Sequence, residues 1–256
     1  MKIFTFTKKS LIVLFASVLL GAAALTVAFS TTARFVSTAT EQRDIPIYCV
    51  ESEKKVVAIS FDAAWGNEQT ETLLNILKEK NVKSTFFLVG DWVEKFPDSV
   101  KSIAKDGHDV GNHSSTHPYM TQLSAEKMKE EIQSCNEKIK ALTGNTPTLF
   151  RPPYGDYNNA VVGAVRAENM YCIQWDIDSL DWKDPTPQQM VERITAKLTP
   201  GSIILMHNGA KNTPEALPMI IDAVRAEGYD FVPISELLPK GDYTTDHEGR
   251  MHTTEQ

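Results

Sequence analysis

The chain is poor in cysteine, and the few cysteines it has are widely spaced. Cys49, Cys135 and Cys172 are the only three in 256 residues, and no two of them have a CxxC spacing. An odd number of scattered cysteines gives no disulfide framework. We therefore expect three small buried side chains, and the chemistry must come from other residues.

Positive charge is also scarce. The chain carries 26 Lys and Arg residues against 33 Asp and Glu residues, so its formal net charge is −7. This balance argues against nucleic acid, or an anionic membrane surface, as the main partner. Hydrophobic residues make up 42% and charged residues 23%, as in ordinary globular proteins. The length suffices for one domain of about 200 residues with appendages.

One long hydrophobic run lies at the amino terminus. Three lysines precede residues 11–29, which carry no charge. A run of roughly 20 apolar residues can span a bilayer and is longer than the usual hydrophobic region of a secretory signal. A weak cleavage pattern at Ala28-Phe29-Ser30 leaves a signal peptide open, but we favour an uncleaved anchor over residues 1–30. The lysines place the N-terminus inside, so the domain is expected outside the cytoplasm, held at the cell membrane or secreted.

Polar segments flank the central part of the chain. Residues 31–52, rich in Thr and Ser, are expected to be a linker, and residues 239–256 a disordered tail. His247 and His252 lie in that tail and are given no catalytic role. The folded domain is therefore expected to occupy residues 53–238.

Strand patterns alternate with helix patterns through this domain. The clearest helix begins after a Ser124 cap and runs to Thr143, before Gly144. No hairpin signal separates the strands, and such alternation predicts a parallel sheet that approaches closure as a barrel; an open doubly wound sheet is the alternative. The predicted strands are Lys55–Phe61, Ser84–Val89, Asp109–Gly111, Thr148–Phe150, Tyr171–Trp175, Ser202–Met206 and Phe231–Val232.

Reactive side chains follow the carboxyl ends of several predicted strands. In a parallel barrel these ends share one face, where such enzymes carry their active sites. This convergence is a stronger signal than any single motif. The residues concerned are Asp62; His113 and His117; Arg151 and Tyr154; Asp176, Asp178, Asp181 and Trp182; and His207.

Two of these segments each allow a functional and a structural interpretation. His113 and His117 have the i, i+4 spacing that places two imidazoles on one side of a helical turn, where they can share a metal ion. Two histidines that merely cap a turn are the alternative. Arg151 precedes two prolines that stiffen its loop, so it either orients a carboxylate through a bidentate pair or lies at the surface.

The later segments are equally open when taken alone. Asp176, Asp178 and Asp181 lie between Trp175 and Trp182. Carboxylates mixed with tryptophans suit a sugar site, where flat aromatic faces meet the apolar faces of pyranose rings, but a solvated acidic loop has the same composition. A histidine after an apolar strand, as at position 207, is either functional or a hydrogen-bonded core residue.

Taken together, five segments match in order the five motifs of the polysaccharide deacetylase family, also called the NodB-homology or carbohydrate esterase family 4 domain. The resemblance covers residues 53–238. With the apolar N-terminus, residues 61–66 are most similar to the membrane-anchored, sporulation-associated PdaB-type branch. The matching segments are Phe61-Asp62, His113-Ser-Ser-Thr-His117, Arg151-Pro-Pro-Tyr154, Asp178-Ser-Leu-Asp181-Trp182 and Leu205-Met-His207.

This resemblance implies a distorted (β/α)7-type barrel of parallel strands, preceded here by one N-terminal apolar helix. It implies a metal-dependent hydrolase that removes N-acetyl groups from amino sugars of a cell-wall polysaccharide, with peptidoglycan the expected substrate and sporulation the expected setting. The cofactor would be a divalent metal, zinc in the first place, with cobalt or nickel also compatible with two imidazoles. The expected partners are the glycan and, through the N-terminal helix, the membrane. The chain is expected to be a monomer.

The resemblance also implies a role for each motif residue. Amide hydrolysis needs an activated water, stabilisation of the oxyanion and a proton for the amine. A metal-activated water would serve with Asp62 as general base and His207 as general acid. The other implied roles are orientation of Asp62 by Arg151, tuning of His207 by Asp181, metal binding by His113 and His117, an oxyanion contact from the Tyr154 main-chain N–H, and lining of the acetyl pocket by Trp182 and Leu205.

One position departs from the family pattern. The first motif of the family usually has two adjacent aspartates, the second of which binds the metal, but the second position here is Ala63. A catalytic zinc normally has three protein ligands, and this alanine leaves only two imidazoles. Asn67, Glu68 or Asp62 itself could complete the site, or the enzyme could work with weak metal affinity. The alternative function is a catalytically silent protein that binds cell-wall glycan.

Overall fold

The structure is a computed structural model that describes residues 7–9 and 43–254. The chain divides after residue 42 into two units, and the architecture below is that of the second unit. Apart from residues 7–9, the predicted apolar N-terminal helix lies outside the described residues. Within the described part, no helix combines the length and the apolar character needed to cross a bilayer.

The folded unit alternates short strands with helices. The strands are β1 (Cys49–Val50), β2 (Val56–Ala63), β3 (Thr85–Leu88), β4 (Asp109–Asn112), β5 (Leu149–Phe150), β6 (Tyr171–Cys172), β7 (Ile177–Asp178), β8 (Ile203–His207), β9 (Asp230–Phe231), β10 (Tyr243–Thr245) and β11 (Arg250–Thr253). The helices are α1 (Thr70–Glu79), α2 (Gly90–Lys95), α3 (Pro97–Lys105), α4 (Ala125–Thr143), α5 (Asn159–Ala167), α6 (Pro187–Thr195), α7 (Thr213–Ala226) and α8 (Ile234–Leu237). Three 3₁₀ turns cover Met120–Gln122, Pro153–Gly155 and Asp181–Lys183.

The main sheet is parallel and curled, as the alternation predicts. Its strands lie in the order β6–β5–β4–β3–β2–β8–β7, and β9 pairs with the start of β2. Strand β2 is the central and longest member, and its residues alternate between the two faces of the sheet. Val57, Ile59, Phe61 and Ala63 belong to the core packed against the helices, whereas Ala58 belongs to the interior cluster. The predicted α/β sheet of parallel strands is confirmed.

The long helix α4 also begins and ends where the sequence predicts. The Ser124 hydroxyl accepts a hydrogen bond from the Lys127 main-chain N–H at 3.3 Å and caps the helix. Gly144 follows in the left-handed conformation, with φ of 78°, which glycine adopts without a steric cost. The apolar side of the helix, which includes Ile132, Cys135 and Ile139, is buried.

Residues 243–245 and 250–253 form strands, which differs from the disordered tail expected for 239–256. β11 pairs in parallel with β1 and antiparallel with β10 to form a second, three-stranded sheet. Met251 is fully buried in the interior cluster with Ile47 and Val50. The sequence pattern did not reveal these strands, because β11 has a single large apolar residue. Its parallel partner β1 is 201 positions away, as in the Cys49–Arg250 pair.

Part of the segment expected to be a linker is also ordered, because the main chain of residues 47–50 is hydrogen-bonded to residues next to strands β6 and β8 of the main sheet. The Ile47 main chain donates to the Cys172 carbonyl at 2.8 Å and accepts from the Gln174 N–H at 2.7 Å. The Val50 N–H donates to the Gly201 carbonyl at 3.0 Å. At Gly201 φ is +83°, and an added Cβ would lie 1.8 Å from the Val50 carbonyl oxygen, so only glycine allows this close approach.

Candidate active site

The central strand pair brings Asp62 and His207 together. They are register partners on β2 and β8, at the carboxyl edge of the sheet. Asp62 is 6% exposed, and both side chains line the same cavity of about 450 Å³. A cavity of this size lies within the range of small-molecule sites. Its lining residues are Asp62, Ala64, Trp65, His113, His117, Tyr154, Trp175, Asp178, Trp182, Leu205 and His207.

Arg151 holds Asp62 in place from below the cavity. Its Nη1 donates to Asp62 Oδ1 at 2.7 Å, and its Nη2 donates to Ser60 Oγ at 2.9 Å and to the Gln174 carbonyl at 3.0 Å. The guanidinium is fully buried and lies 4.1 Å from the centroid of the Phe87 ring. Burial alone would raise the pKa of Asp62, but the charges of Arg151 and His113 outweigh it and lower this pKa. Asp62 is therefore ionised at neutral pH.

Asp181 holds His207 in a second pair. Its Oδ1 accepts from His207 Nδ1 at 2.7 Å, while its Oδ2 accepts from the His207 main-chain N–H and from Thr213 Oγ1, each at 2.7 Å. Burial alone would lower the pKa of His207, but the hydrogen bond and charge of Asp181 raise it above the ordinary histidine value. The structure thus places a carboxylate that favours its anion opposite an imidazole that favours its cation.

His113 and His117 are also brought together, with their ring centroids 5.0 Å apart. His113 Nδ1 donates to the Arg151 carbonyl at 2.7 Å, which leaves Nε2 facing Asp62 Oδ2 at 3.4 Å. Burial lowers the pKa of both histidines, in His117 to about 4. Both imidazoles are therefore neutral at neutral pH, the form that binds metals.

The groups suggested to replace the missing aspartate point elsewhere. The Asn67 side chain donates to Ser99 Oγ at 3.1 Å, and Glu68 Oε2 accepts from the Asn67 main-chain N–H at 2.9 Å. Ala63 is fully buried on the helix-facing side of β2 and does not line the cavity. Asp62 remains as the carboxylate beside the two histidines.

This donor set does not fit the site expected of a catalytic zinc. Within residues 7–9 and 43–254, no three His, Cys, Asp or Glu side chains are arranged to hold a metal ion. Asp62 Oδ1 already accepts from Arg151, and Oδ2 lies 3.4 Å from His113 Nε2. A catalytic zinc normally has three protein ligands.

The three remaining predicted residues also line the cavity. Tyr154 has φ of 60° in the turn after Arg151, and its ring is 55% exposed. Trp182 is 54% exposed, whereas Leu205 is almost fully buried and contributes to the cavity wall. All nine residues predicted for the site therefore lie in or against one cavity, with Arg151 and Asp181 behind it.

Sequence reasoning missed the contribution of Trp65 and Tyr119. The Trp65 ring lies 5.8 Å from the His117 ring and 6.3 Å from the His207 ring, between centroids. Tyr119 stacks on Tyr154 with the ring centroids 4.3 Å apart. Trp65 lies three residues after Asp62, and Tyr119 lies two residues after His117. This closeness to a motif was the signal that could have identified them. Trp175, noted only as part of a mixed segment, and Asp178, to which its motif assigned no role, also line the cavity.

Comparison with known proteins places these motifs in a family. The family model for polysaccharide deacetylases matches residues 50–173. A peptidoglycan-N-acetylglucosamine deacetylase of Bacillus cereus is 34% identical, over 72% of this chain and 69% of its own length. An uncharacterized Bacillus subtilis protein, YlxY, is 38% identical over 75% of this chain and 60% of its own length. The chain thus spans less than two thirds of that relative.

A solved structure with a similar fold bears on catalytic competence. The carbohydrate esterase family 4 pseudoenzyme from Bacillus anthracis superposes with a TM-score of 0.74 at 39% identity, covering 76% of this chain and 69% of that one. A mutant of that protein, also with a TM-score of 0.74, is described as having restored enzymatic activity. This chain is therefore similar in fold to a pseudoenzyme of the family.

Proposed function

The chain belongs to the polysaccharide deacetylase family, and on this premise we propose that it removes N-acetyl groups from amino sugars of a cell-wall glycan, peptidoglycan in the first place. One observation carries the proposal. The Asp62–Arg151 pair and the His207–Asp181 pair face a single cavity from neighbouring strands in register. These two pairs supply the base and the acid that amide hydrolysis requires.

The proposed reaction uses these groups as follows. Asp62 takes a proton from the water that attacks the acetyl carbonyl, while Arg151 fixes the orientation of its carboxylate. The Tyr154 main-chain N–H stabilises the oxyanion. The C–N bond then breaks, acetate leaves, and His207 gives its Nε2 proton to the amine. Trp182 and Leu205 enclose the acetyl methyl group.

A second candidate function is the binding of cell-wall glycan without hydrolysis. The burial of Ala63 on the opposite face of β2 favours it, since the position that carries a metal ligand in the family contributes nothing to this cavity. The similarity to a pseudoenzyme supports the same alternative.

Acetate release distinguishes the two candidates. Wild type and Asp62→Asn would be incubated with peptidoglycan fragments and with chitotetraose, with added zinc, cobalt or nickel and with chelator. Deacetylation predicts release from wild type and a loss of about 100-fold or more in Asp62→Asn. Acetate release that is unchanged in Asp62→Asn would contradict the proposed mechanism. Absence of release across all substrates and metals, with oligosaccharide binding retained, would assign the binding function.

We further propose that an uncleaved N-terminal anchor holds this domain, as a monomer, outside the cytoplasm of a sporulating cell. The apolar run in residues 11–29 after three lysines supports the anchor. The assay is cell fractionation followed by protease treatment of intact protoplasts. Cleavage of the membrane-bound domain by external protease is expected, and a domain protected in intact protoplasts would refute it.

A further inference from the structure

The loop of residues 113–117, which carries both cavity histidines, is held by side chains. The main-chain N–H groups of residues 114–117 all donate to side-chain oxygens. The Ser114 N–H donates to Asn112 Oδ1 at 2.7 Å, and the His117 N–H donates to Ser114 Oγ at 3.0 Å. Because main-chain N–H groups inside a fold need acceptors, the conformation of this loop depends on the side chains that supply them.

The other two N–H groups share one acceptor, the carboxylate of Glu131 in the second turn of helix α4. Its Oε2 accepts from the Ser115 and Thr116 N–H groups, each at 2.8 Å. Its Oε1 accepts from Thr116 Oγ1, also at 2.8 Å. A single side chain that reaches from the helix thus makes three hydrogen bonds to consecutive residues of the loop.

These contacts bear on His117 more than on His113. Ser114 and His117 have φ of 67° and 62°, and such left-handed residues other than glycine persist only where their surroundings hold them. His113 is fixed independently, since its N–H donates to the Leu88 carbonyl at 3.0 Å and its ring donates to the Arg151 carbonyl at 2.7 Å. Loss of the contacts from α4 would therefore displace the second histidine and leave the first in place.

We propose that Glu131 is a positioning residue that sets the place of the His117 imidazole in the cavity wall. This ring lies between two aromatic neighbours, with centroid distances of 4.5 Å to Tyr154 and 5.8 Å to Trp65. Functional side chains need such support from behind, because a small displacement changes the shape that the ligand meets. The consequence for binding rests on the proposed glycan ligand of the cavity.

Two substitutions separate the reach of the side chain from its charge. Glu131→Asp keeps the charge but is shorter by one carbon–carbon bond, so it cannot reach all three groups. Glu131→Gln keeps the length, and its amide oxygen can accept both N–H groups while the Thr116 hydroxyl turns to accept from the amide. Glu130→Asp is the matched control, since Glu130 is the preceding residue of α4 and its carboxylate pairs with exposed Lys127 at 2.6 Å.

NMR spectra of the full chain test the positioning without any ligand. Ring currents of the two aromatic neighbours make the ring-proton shifts of His117 depend on its position. In Glu131→Asp we expect these signals to move, with those of His113 unchanged. The two loop amides should exchange about 10-fold faster, because they lose their acceptor. Glu131→Gln and Glu130→Asp should keep the His117 signals of wild type.

Calorimetry with chitotetraose tests the consequence for binding. We expect the affinity to fall about 10-fold in Glu131→Asp, because the displaced imidazole no longer completes the cavity wall. The affinity should stay within about two-fold of wild type in Glu131→Gln and in Glu130→Asp.

Unchanged His117 signals in Glu131→Asp would overturn the proposal even if the unfolding temperature fell, since a purely stabilising residue has that effect alone. Glu131→Gln with the displaced signals of Glu131→Asp would also contradict it, because charge and not reach would then matter. Displaced signals with unchanged affinity would refute the role in binding. A wild type that binds no glycan would be a failure of the proposed function, and the NMR comparison would still decide the positioning.

Discussion

Asp62 and His207 are neighbours across one strand pair, yet their surroundings favour opposite charges. Asp62 receives the buried guanidinium of Arg151, whereas His207 receives the carboxylate of Asp181. The pKa of Asp62 is consequently lowered, and that of His207 is raised although burial opposes it. Two groups whose pKa values are pushed apart in this sense are ready to act as base and acid near neutral pH.

Asp181→Asn should lower the pKa of His207, because burial then acts without the opposing charge. His207 must carry a proton to act as acid, so activity is lost as pH rises through its pKa. The alkaline limb of the kcat/KM profile is expected to move to lower pH, with a loss of about 100-fold above neutrality. NMR titration of His207 gives its pKa even without turnover. Loss that is equal at every pH, with an unchanged titration, would show a purely structural role.

Ala63→Asp should destabilise the chain in chelator, since it buries a carboxylate among apolar residues of the helix-facing core. The cost is expected to be about 2 kcal/mol or more. Zinc should recover little of this loss, because the side chain at position 63 points to the face of β2 opposite the cavity that Asp62 and His113 line. Thermal unfolding with and without zinc is the measurement, and Ala63→Asn is the uncharged control. Stabilisation by zinc of Ala63→Asp but not of Ala63→Asn would contradict this geometry and show that a carboxylate at position 63 reaches the histidines.

At the scale of elements, signals local to one segment were predictable, whereas pairing between distant segments was not. Ser124 and Gly144 bound α4 by contacts within a few residues, so the sequence pattern located that helix. β1 and β7 are each two residues long, and each pairs with a strand far along the chain, β1 with β11 and β7 with β8. The nine site residues were predictable by their motifs, but the face to which Ala63 points depends on the register of β2. Tyr119 entered the site only through its stacking on Tyr154.

The small sheet has a charged clamp that should respond to pH. His252 Nδ1 lies 2.9 Å from Glu51 Oε2 and its Nε2 lies 3.0 Å from Asp246 Oδ2. These carboxylates raise the pKa of His252, so its contribution to stability is present below the ordinary histidine pKa and lost as pH rises through the raised value. Asp246, with its pKa lowered to about 2, contributes until strongly acidic pH.

Hydrogen exchange in residues 243–253 should therefore accelerate modestly as pH rises above neutrality, after correction for the intrinsic effect of pH. The effect is modest because solvent screens the exposed pair. His252→Gln cannot change charge and should show no such dependence. A wild type whose corrected exchange is flat across this range would contradict the clamp.

At the scale of the whole molecule, the two ends of the barrel have different tasks. The functional groups lie at the carboxyl ends of the strands, whereas Cys49 and Val50 contact Ser202 and Gly201 at the start of β8. Ile203 and His207 are about 13 Å apart along that strand. Strands β1, β10 and β11 therefore belong to the end that stabilises the fold. In other parallel barrels, too, the active site lies at the carboxyl ends of the strands and the opposite end contributes to stability.

Met251→Ala tests this division, because Met251 is fully buried and joins β11 to the interior cluster. The substitution should lower the free energy of unfolding by about 2–5 kcal/mol. Its affinity for chitotetraose, measured well below the unfolding temperature, should stay within about two-fold of wild type, since the cavity lies at the other end of β8. Urea denaturation and calorimetry provide the two readouts, and exposed Thr253→Ala is the control. If affinity fell in parallel with stability, the two ends of the barrel would have to be coupled through β2 and β8.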